Sequence, residues 1–216
     1  MNQANEAQAV FTEIYHRNQW GSPESVSGSG SEMTRTRHLR AELPHLLREF
    51  NIRSVLDIPC GDFNWMRHVD LGGVHYIGAD IVPELVEHNR RTYRGPRIQF
   101  EHLDVIASPL PKVDAVLCRD GLVHFPHASI AAALRNICSS GALYLLTTHF
   151  SFRTPSANEE IDFGQWRRLN FELAPFHWPA PRRYIIEGCD EHDGHFADKS
   201  LAIWPVQEIR SRLQWP

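Results

Sequence analysis

Apolar and aromatic positions at Val10, Phe11, Ile14 and Tyr15 recur at helical spacing, and the pattern stops at Asn18-Gln19-Trp20-Gly21-Ser22-Pro23, predicting a short helix that runs into a loop. Residues 25–31, SVSGSGS, are of low complexity, and beyond them Leu39, Leu43, Leu46, Leu47 and Phe50 trace a second helix. From Ser54 the period changes. The branched run SVLDI, ending in the turn formers Pro59, Cys60, Gly61 and Asp62, has the character of a buried parallel strand. The rhythm then repeats: a strand over 74–81, a helix from Pro83 to Tyr93 with proline in its first turn, and a strand over 97–105. A fourth strand within 112–125 runs into a short helix, and a helix over 128–138 and a strand over 142–150 follow.

Strands and helices alternating at these intervals predict a doubly wound α/β sheet. The last third breaks the alternation. The strand-like stretches RYIIEG and KSLAIWPV follow one another with no helix between them, after a loop carrying Trp166, Asn170 and the proline-rich APFHWPAPRR, and they read as an antiparallel hairpin at the sheet edge. At 216 residues the chain fits one domain, with 1–52 as N-terminal helices and a Ser/Gly lid segment packed on a core of 53–216.

Composition narrows the function. Apolar residues make up 42% and charged residues 22%, an ordinary globular balance. The net charge of −4 argues against a nucleic-acid platform, which needs an excess of Lys and Arg. No apolar run approaches membrane-spanning length, and the polar start MNQANEAQAV is unlike a signal peptide, so a cytoplasmic protein with no membrane partner is expected. Cys60, Cys118, Cys138 and Cys189 are irregularly spaced and read as reduced thiols. The stretch Cys189-Asp190-Glu191-His192-Asp193-Gly194-His195 lacks a second ligand pair and reads as a solvated loop, with no metal expected. Arg90, Arg91, Arg94 and Arg97 read as a solvated helix end.

In a doubly wound sheet the ligand lies beyond the carboxyl ends of the strands, so the residues that follow each strand carry the chemistry. After the first strand comes Asp57-Ile58-Pro59-Cys60-Gly61-Asp62-Phe63, which keeps a single glycine where a dinucleotide fingerprint has three. A pyrophosphate ligand is disfavoured. After the second strand comes Asp80, 23 residues beyond Asp57, where a carboxylate can accept hydrogen bonds from both hydroxyls of a ribose. A nucleoside without a diphosphate fits this pair. Each residue alone has a simpler reading as a turn or helix cap; the series Asp57, Asp80 and Asp104 after successive strands favours a ligand.

The segments VLDIPCGDFNWM, YIGADI, FEHLDV and CRDGLVHF, in this order and spacing, resemble the successive motifs of class I S-adenosylmethionine-dependent methyltransferases, over Arg53 to about Pro205. Within that superfamily the chain looks like a bacterial small-molecule group marked by an NxWGSxESVSGSGS segment, DIPCGDFNWM and CRDxLVH. The resemblance implies a Rossmann-like fold: a seven-stranded mixed sheet with helices on both faces, an antiparallel final hairpin and an N-terminal helical lid. It implies S-adenosyl-L-methionine as cofactor, its methionine part at the backbone of Cys60 and Gly61, its ribose at Asp80 and its adenine amino group at Asp104. Asp57, Pro59, Asp62, Ile81, Val105 and Arg119 complete the expected cofactor site from the core, and Trp20 and Arg37 from the lid. Pro59 and Phe63 depart from the superfamily, standing where two glycines are common.

Asp120 and His124 follow the fourth strand, and a helix beginning there would put both on one face beside the cofactor, His124 as base and Asp120 as its partner. The competing reading is a capping aspartate and a half-exposed histidine. His149 and Thr148 end the fifth strand at the same sheet edge, and His149 is the alternative base. Thr148, Arg153, Trp166 and Asn170 are the expected acceptor contacts, with Arg167 and Arg168 nearby for an anionic group; aromatic core competes for Trp166 and Trp178. The segment from Trp20 to Ser31 is either a lid over the cofactor or a flexible linker. The expected reaction is methyl transfer to an oxygen or nitrogen of a small, polar metabolite or natural-product intermediate, anionic or phosphorylated ones included. The alternatives are an RNA methyltransferase and a non-catalytic cofactor-binding scaffold.

Overall fold

Strands β1 (Ser54–Asp57), β2 (His75–Asp80), β3 (Ile98–His102), β4 (Ala115–Cys118), β5 (Tyr144–Phe150), β6 (Arg183–Ile186) and β7 (Lys199–Pro205) form one sheet in the order β3-β2-β1-β4-β5-β7-β6. The computed structural model describes residues 3–151, 158–189 and 194–213. The first five strands pair in parallel, and β7 enters antiparallel between β5 and β6, with Leu146 opposite Ile203 and Ile185 opposite Leu201. The sheet is thus mixed, and its final hairpin is reversed.

Side chains alternate across the sheet, as the two-residue period of a strand requires. Leu56, Val116, Leu145 and Ala202 face one side, where Ile130, Ala133, Leu134 and Ile137 of α4 (His127–Ser139) and Val206 and Ile209 of α5 (Val206–Arg210) cover them. Val55, Ala115, Leu117, Leu146 and Ile203 face the other, beneath Leu39, Leu43, Leu46 and Leu47 of α2 (Arg37–Glu49) and Val86 of α3 (Pro83–Tyr93). Burial of each such leucine contributes about 2 kcal/mol. Both faces are covered, which explains the continuous apolar runs of the central strands. Helix α1 (Gln3–Arg17) lays Phe11 against Phe125 and Phe163 beside the sheet's carboxyl edge.

Several elements differ from the sequence reading. The β1–β2 connection carries a 3-10 turn, Met66–His68, and the helix expected after β4 is also a 3-10 turn, Leu122–His124. Strand β3 ends at His102, so Asp104 lies in the loop beyond it. The stretch KSLAIWPV divides at Pro205, which caps α5 and cannot donate a ladder hydrogen bond. Among the described residues no helix is long and apolar enough to cross a membrane.

Candidate active site

Strands β1 and β4 are neighbours although β2 and β3 intervene in the chain, so their following loops diverge and leave a cleft at the point where strand order reverses. Asp57, Pro59, Cys60 and Gly61 line it from β1, Asp80 and Ile81 from β2, Asp104 and Val105 from the loop after β3, and Arg119, Asp120 and His124 from the loop after β4. Asp80 is nearly fully buried and cross-braces two of these loops: Oδ2 accepts from the Gly61 N–H at 3.1 Å and Oδ1 from the Val82 N–H at 3.1 Å. Each oxygen retains a lone pair. Gly61, at φ +57°, has its carbonyl fixed by Asn89 Nδ2 at 2.7 Å. Asp104 Oδ1 accepts from the Ile106 N–H at 2.8 Å, whereas Oδ2 is buried without a partner. Around it Ile81, Leu85, Leu103, Val105 and Phe125 form an apolar slot. An unsatisfied carboxylate oxygen in an apolar slot, next to a second carboxylate, matches what an adenine amino group and a ribose diol need. The residues fit S-adenosylmethionine.

Burial pushes the carboxyl of Asp57 up to about 7, against the hydrogen bond it accepts from the Tyr76 hydroxyl at 2.6 Å and the pull of Arg119. It is a buried acid poised to ionise beside a cation.

Residues 20–31 fold as a strap across the cleft, and Trp20, Val26, Ser27 and Ser31 line it. Asp62 ties the strap down. Its Oδ1 accepts from Ser25 Oγ at 3.0 Å and Ser27 Oγ at 3.3 Å, its Oδ2 from the Val26 N–H at 3.0 Å, and its own N–H donates to Ser27 Oγ at 3.1 Å. Asn64 Nδ2 adds donations to Glu24 Oε1 at 2.7 Å and to the Ser31 carbonyl at 3.1 Å. A tether would have none of these bonds.

At the far end of the cleft four charges meet. Arg119, almost fully buried, pairs with Glu187 at 2.6 Å and Asp120 at 3.1 Å, donates to the Gly30 carbonyl of the strap at 2.8 Å, and lies over the Trp65 ring. Lys199 of β7 pairs with Asp120 at 2.6 Å and stands 3.6 Å from Glu187. Burial opposes ionisation of Asp120, but Arg119 and Lys199 outweigh it and hold the carboxyl well below the usual range. His124 stacks on Trp20 with 5.1 Å between ring centroids, and its Nδ1 lies 2.8 Å from the Gln165 carbonyl. A carbonyl only accepts, so Nδ1 carries the proton and Nε2 is the basic atom. Burial lowers the affinity of His124 for a second proton.

Not every expected residue comes here. Asp120 and His124 do not share a helical face: Asp120 sits at φ +51° ahead of the 3-10 turn, and its close partners are Lys199, Arg119 and Thr148. Thr148 reaches the cleft only through Asp120, accepting its N–H at 2.7 Å and donating to Oδ1 at 3.1 Å. His149 points to the interior, 0% exposed among Phe171, Tyr184 and Trp204, where burial lowers its pKa to about 4. Asn170 is buried against Asn158, Trp166 packs on Phe150 and Phe196, and Trp178 stacks on Phe171 in the core. Arg37 lines a separate surface hollow with Thr34, His38 and Glu187, and Asp62 serves the strap rather than the cleft. Arg153 lies outside the described residues, as do Asp190–Asp193 of the polar loop. No group of metal-ligating side chains occurs among the described residues, and none of their cysteines is in a disulfide.

Lys199, Glu187, Tyr76 and Ser27 were not singled out by the sequence reading. Their partners are 79, 68, 19 and 35 residues away, and only the fold brings them together.

Residues 55–140 match the sequence model of a family described as a methyltransferase domain. No curated protein sequence matches the chain. Among solved structures, magnesium protoporphyrin IX methyltransferase from Synechocystis PCC 6803 with bound SAM aligns over 94% of this chain and 96% of that one, at 12% identity and a TM-score of 0.59. Human N-acetylserotonin methyltransferase in complex with SAM aligns over 77% of this chain at 12% identity and a TM-score of 0.57, and the chain spans about half of it, 51%. TnmH aligns over 80% of this chain and 55% of its own at 14% identity and a TM-score of 0.60. At these identities the likeness is one of fold.

Proposed function

We propose that this chain, which carries a methyltransferase domain on the Rossmann-like class I methyltransferase fold, transfers a methyl group from S-adenosylmethionine to an oxygen or nitrogen of a small polar acceptor. The observation that carries the reading is the shared cleft: Asp57, Asp80 and the unpartnered Asp104 Oδ2 along one wall, and a histidine with a basic Nε2 at its end. When bound, the cofactor supplies an activated methyl group on a positively charged sulfur. Asp80 would accept hydrogen bonds from the ribose hydroxyls, Asp104 Oδ2 would accept one from the adenine amino group, and Asp57 would meet the amino-acid ammonium. Arg119 is committed to Glu187, Asp120 and Gly30 and acts as a brace.

His124 Nε2 would take the proton from the acceptor as the acceptor's bond to the methyl carbon forms and the bond of that carbon to sulfur breaks, its electron pair staying on sulfur, and the ionised Asp120 would stabilise the imidazolium through space. Desolvation lowers the proton affinity of half-buried His124 and so favours its basic form. The strap excludes water, and Trp20 braces the imidazole face. A net charge of −4 favours a small molecule over RNA as acceptor.

The test is incubation of the protein with methyl-labelled cofactor and a fractionated bacterial extract. Label is expected in a small-molecule fraction, with a loss of roughly a hundred- to ten-thousandfold in turnover for His124→Ala and unchanged cofactor affinity. Label confined to RNA or protein would overturn the acceptor class. Near-normal turnover in His124→Ala would remove the base.

A further inference from the structure

Beside the Leu122–His124 turn, Arg167 is a buried guanidinium that makes no close ion pair among the described residues, Glu160 acting on it only at longer range. It is 3% exposed, its N–H donates to the Val123 carbonyl at 3.2 Å, and Nη1 makes only a 3.5 Å contact with the same oxygen. Its Nε and Nη2 are buried and have no hydrogen-bond partner among the described residues. The neighbouring acid, Glu160, is turned to His127: its carboxylate accepts the His127 N–H at 3.1 Å and meets Nδ1 at 2.6 Å. His127, at the first turn of α4, is thereby taken up by Glu160 and by the backbone of Asn158, and burial lowers its proton affinity, so it offers no free donor to an anion. Removing a cation from water without a partner is strongly unfavourable. The stress is visible, since burial lowers the Arg167 pKa to about 10 despite Glu160, and the positive charge of Arg167 is felt at both His124 and His127.

We propose that Arg167 forms an anion-binding subsite that holds the carboxylate or phosphate group of the methyl acceptor. The Nε–H and Nη2–H groups of the guanidinium lie on one edge of its planar fork and match two oxygens of one carboxylate or phosphate. The place is apt. Gly164 and Arg167 donate to the carbonyls of His124 and Val123, and Gln165 accepts from His124, so the Arg167 segment is fastened to the turn that carries the base. An acceptor anchored at Arg167 would have its reactive end beside His124. This role rests on the methyl-transfer reading; the anion site itself does not.

Thermal unfolding is measured in chloride with inorganic phosphate or acetate added at constant ionic strength, for wild type and Arg167→Met. The expected result is a rise of a few degrees in Tm for wild type and none for the variant, whose Tm in chloride equals or exceeds wild type because an unpaired buried charge has been removed. A phosphate-only response assigns the site to a phosphate group, and a response to both anions to a carboxylate as well. Equal responses in the two proteins, no response in either, or a lower Tm for the variant in chloride would overturn the site. In the labelled-extract assay the product is expected in the anionic fraction. Label only in neutral or cationic products would overturn the acceptor role and leave the anion site standing, whereas no labelled product at all would strike the methyl-transfer reading alone.

Discussion

The Ser27 hydroxyl lies so close over Gly61 that a β-carbon built there would stand 2.1 Å from Oγ. The bare backbone of Gly61, at φ +57°, is what lets the strap seat on the first βα turn, and Asp62 then fastens it.

Replacing Gly61 by Ala is therefore expected to unseat the strap, both through the clash and through about 1 kcal/mol of left-handed backbone strain. Asp62→Ala should do so by removing the strap's acceptor while leaving the turn intact. In both variants amide exchange across residues 25–31 should speed up, and cofactor should bind at least about tenfold more weakly, the equivalent of about 1.4 kcal/mol. Unchanged exchange in Asp62→Ala would mean the strap is held by something else.

Asp57 makes a prediction about protons. With a pKa near 7 its carboxyl is about half protonated at neutral pH, and a ligand ammonium placed beside it favours the ionised form. Cofactor binding at pH 7 should release up to about half a proton, less at pH 9 where the carboxyl is already ionised. Calorimetry in buffers of different ionisation enthalpy reads this number directly. The release should disappear in Asp57→Asn; if it persists, the proton comes from another group.

The sheet was legible because its central strands are covered on both faces and so appear as unbroken branched runs such as SVLDI and AVLC, bounded by turn residues. The placement of Asp57, Asp80 and Asp104 at the sheet's carboxyl edge was legible because the first two end their strands and the third lies just beyond one. The role of Asp62 was not, since its partners come from a Ser/Gly segment with no periodicity. Spacing misled at Asp120, where a left-handed residue and a 3-10 turn replace the helix that would have aligned it with His124. His149 sits one residue beyond Thr148 on β5, and strand parity turns these neighbours to opposite faces, the threonine toward Asp120 and the histidine into an aromatic core.

That buried position of His149 sets a pH dependence. Its pKa falls from 6.5 to about 4 on folding, so the unfolded chain binds the proton first, and stability is fully present above about pH 6.5. Between there and pH 4 it is lost progressively, by about 3 kcal/mol in all from this group. His149→Phe should flatten this part of the profile relative to wild type in denaturant titrations, and should retain methyl transfer. An unchanged slope would place the acid sensitivity elsewhere. Abolished turnover in a folded His149→Phe protein would return His149 to candidacy as the base.

The central claim, that the cleft between β1 and β4 binds S-adenosylmethionine through a carboxylate on its ribose, is tested most directly by calorimetry of the cofactor with wild type and Asp80→Ala. The variant leaves two ligand hydroxyls without their acceptor and frees the Gly61 and Val82 amides that Asp80 braces. Wild type should bind, and the variant should bind more weakly by about 1.5 to 3 kcal/mol, roughly ten- to a hundredfold. No measurable binding by wild type, or equal affinity in Asp80→Ala, would contradict it.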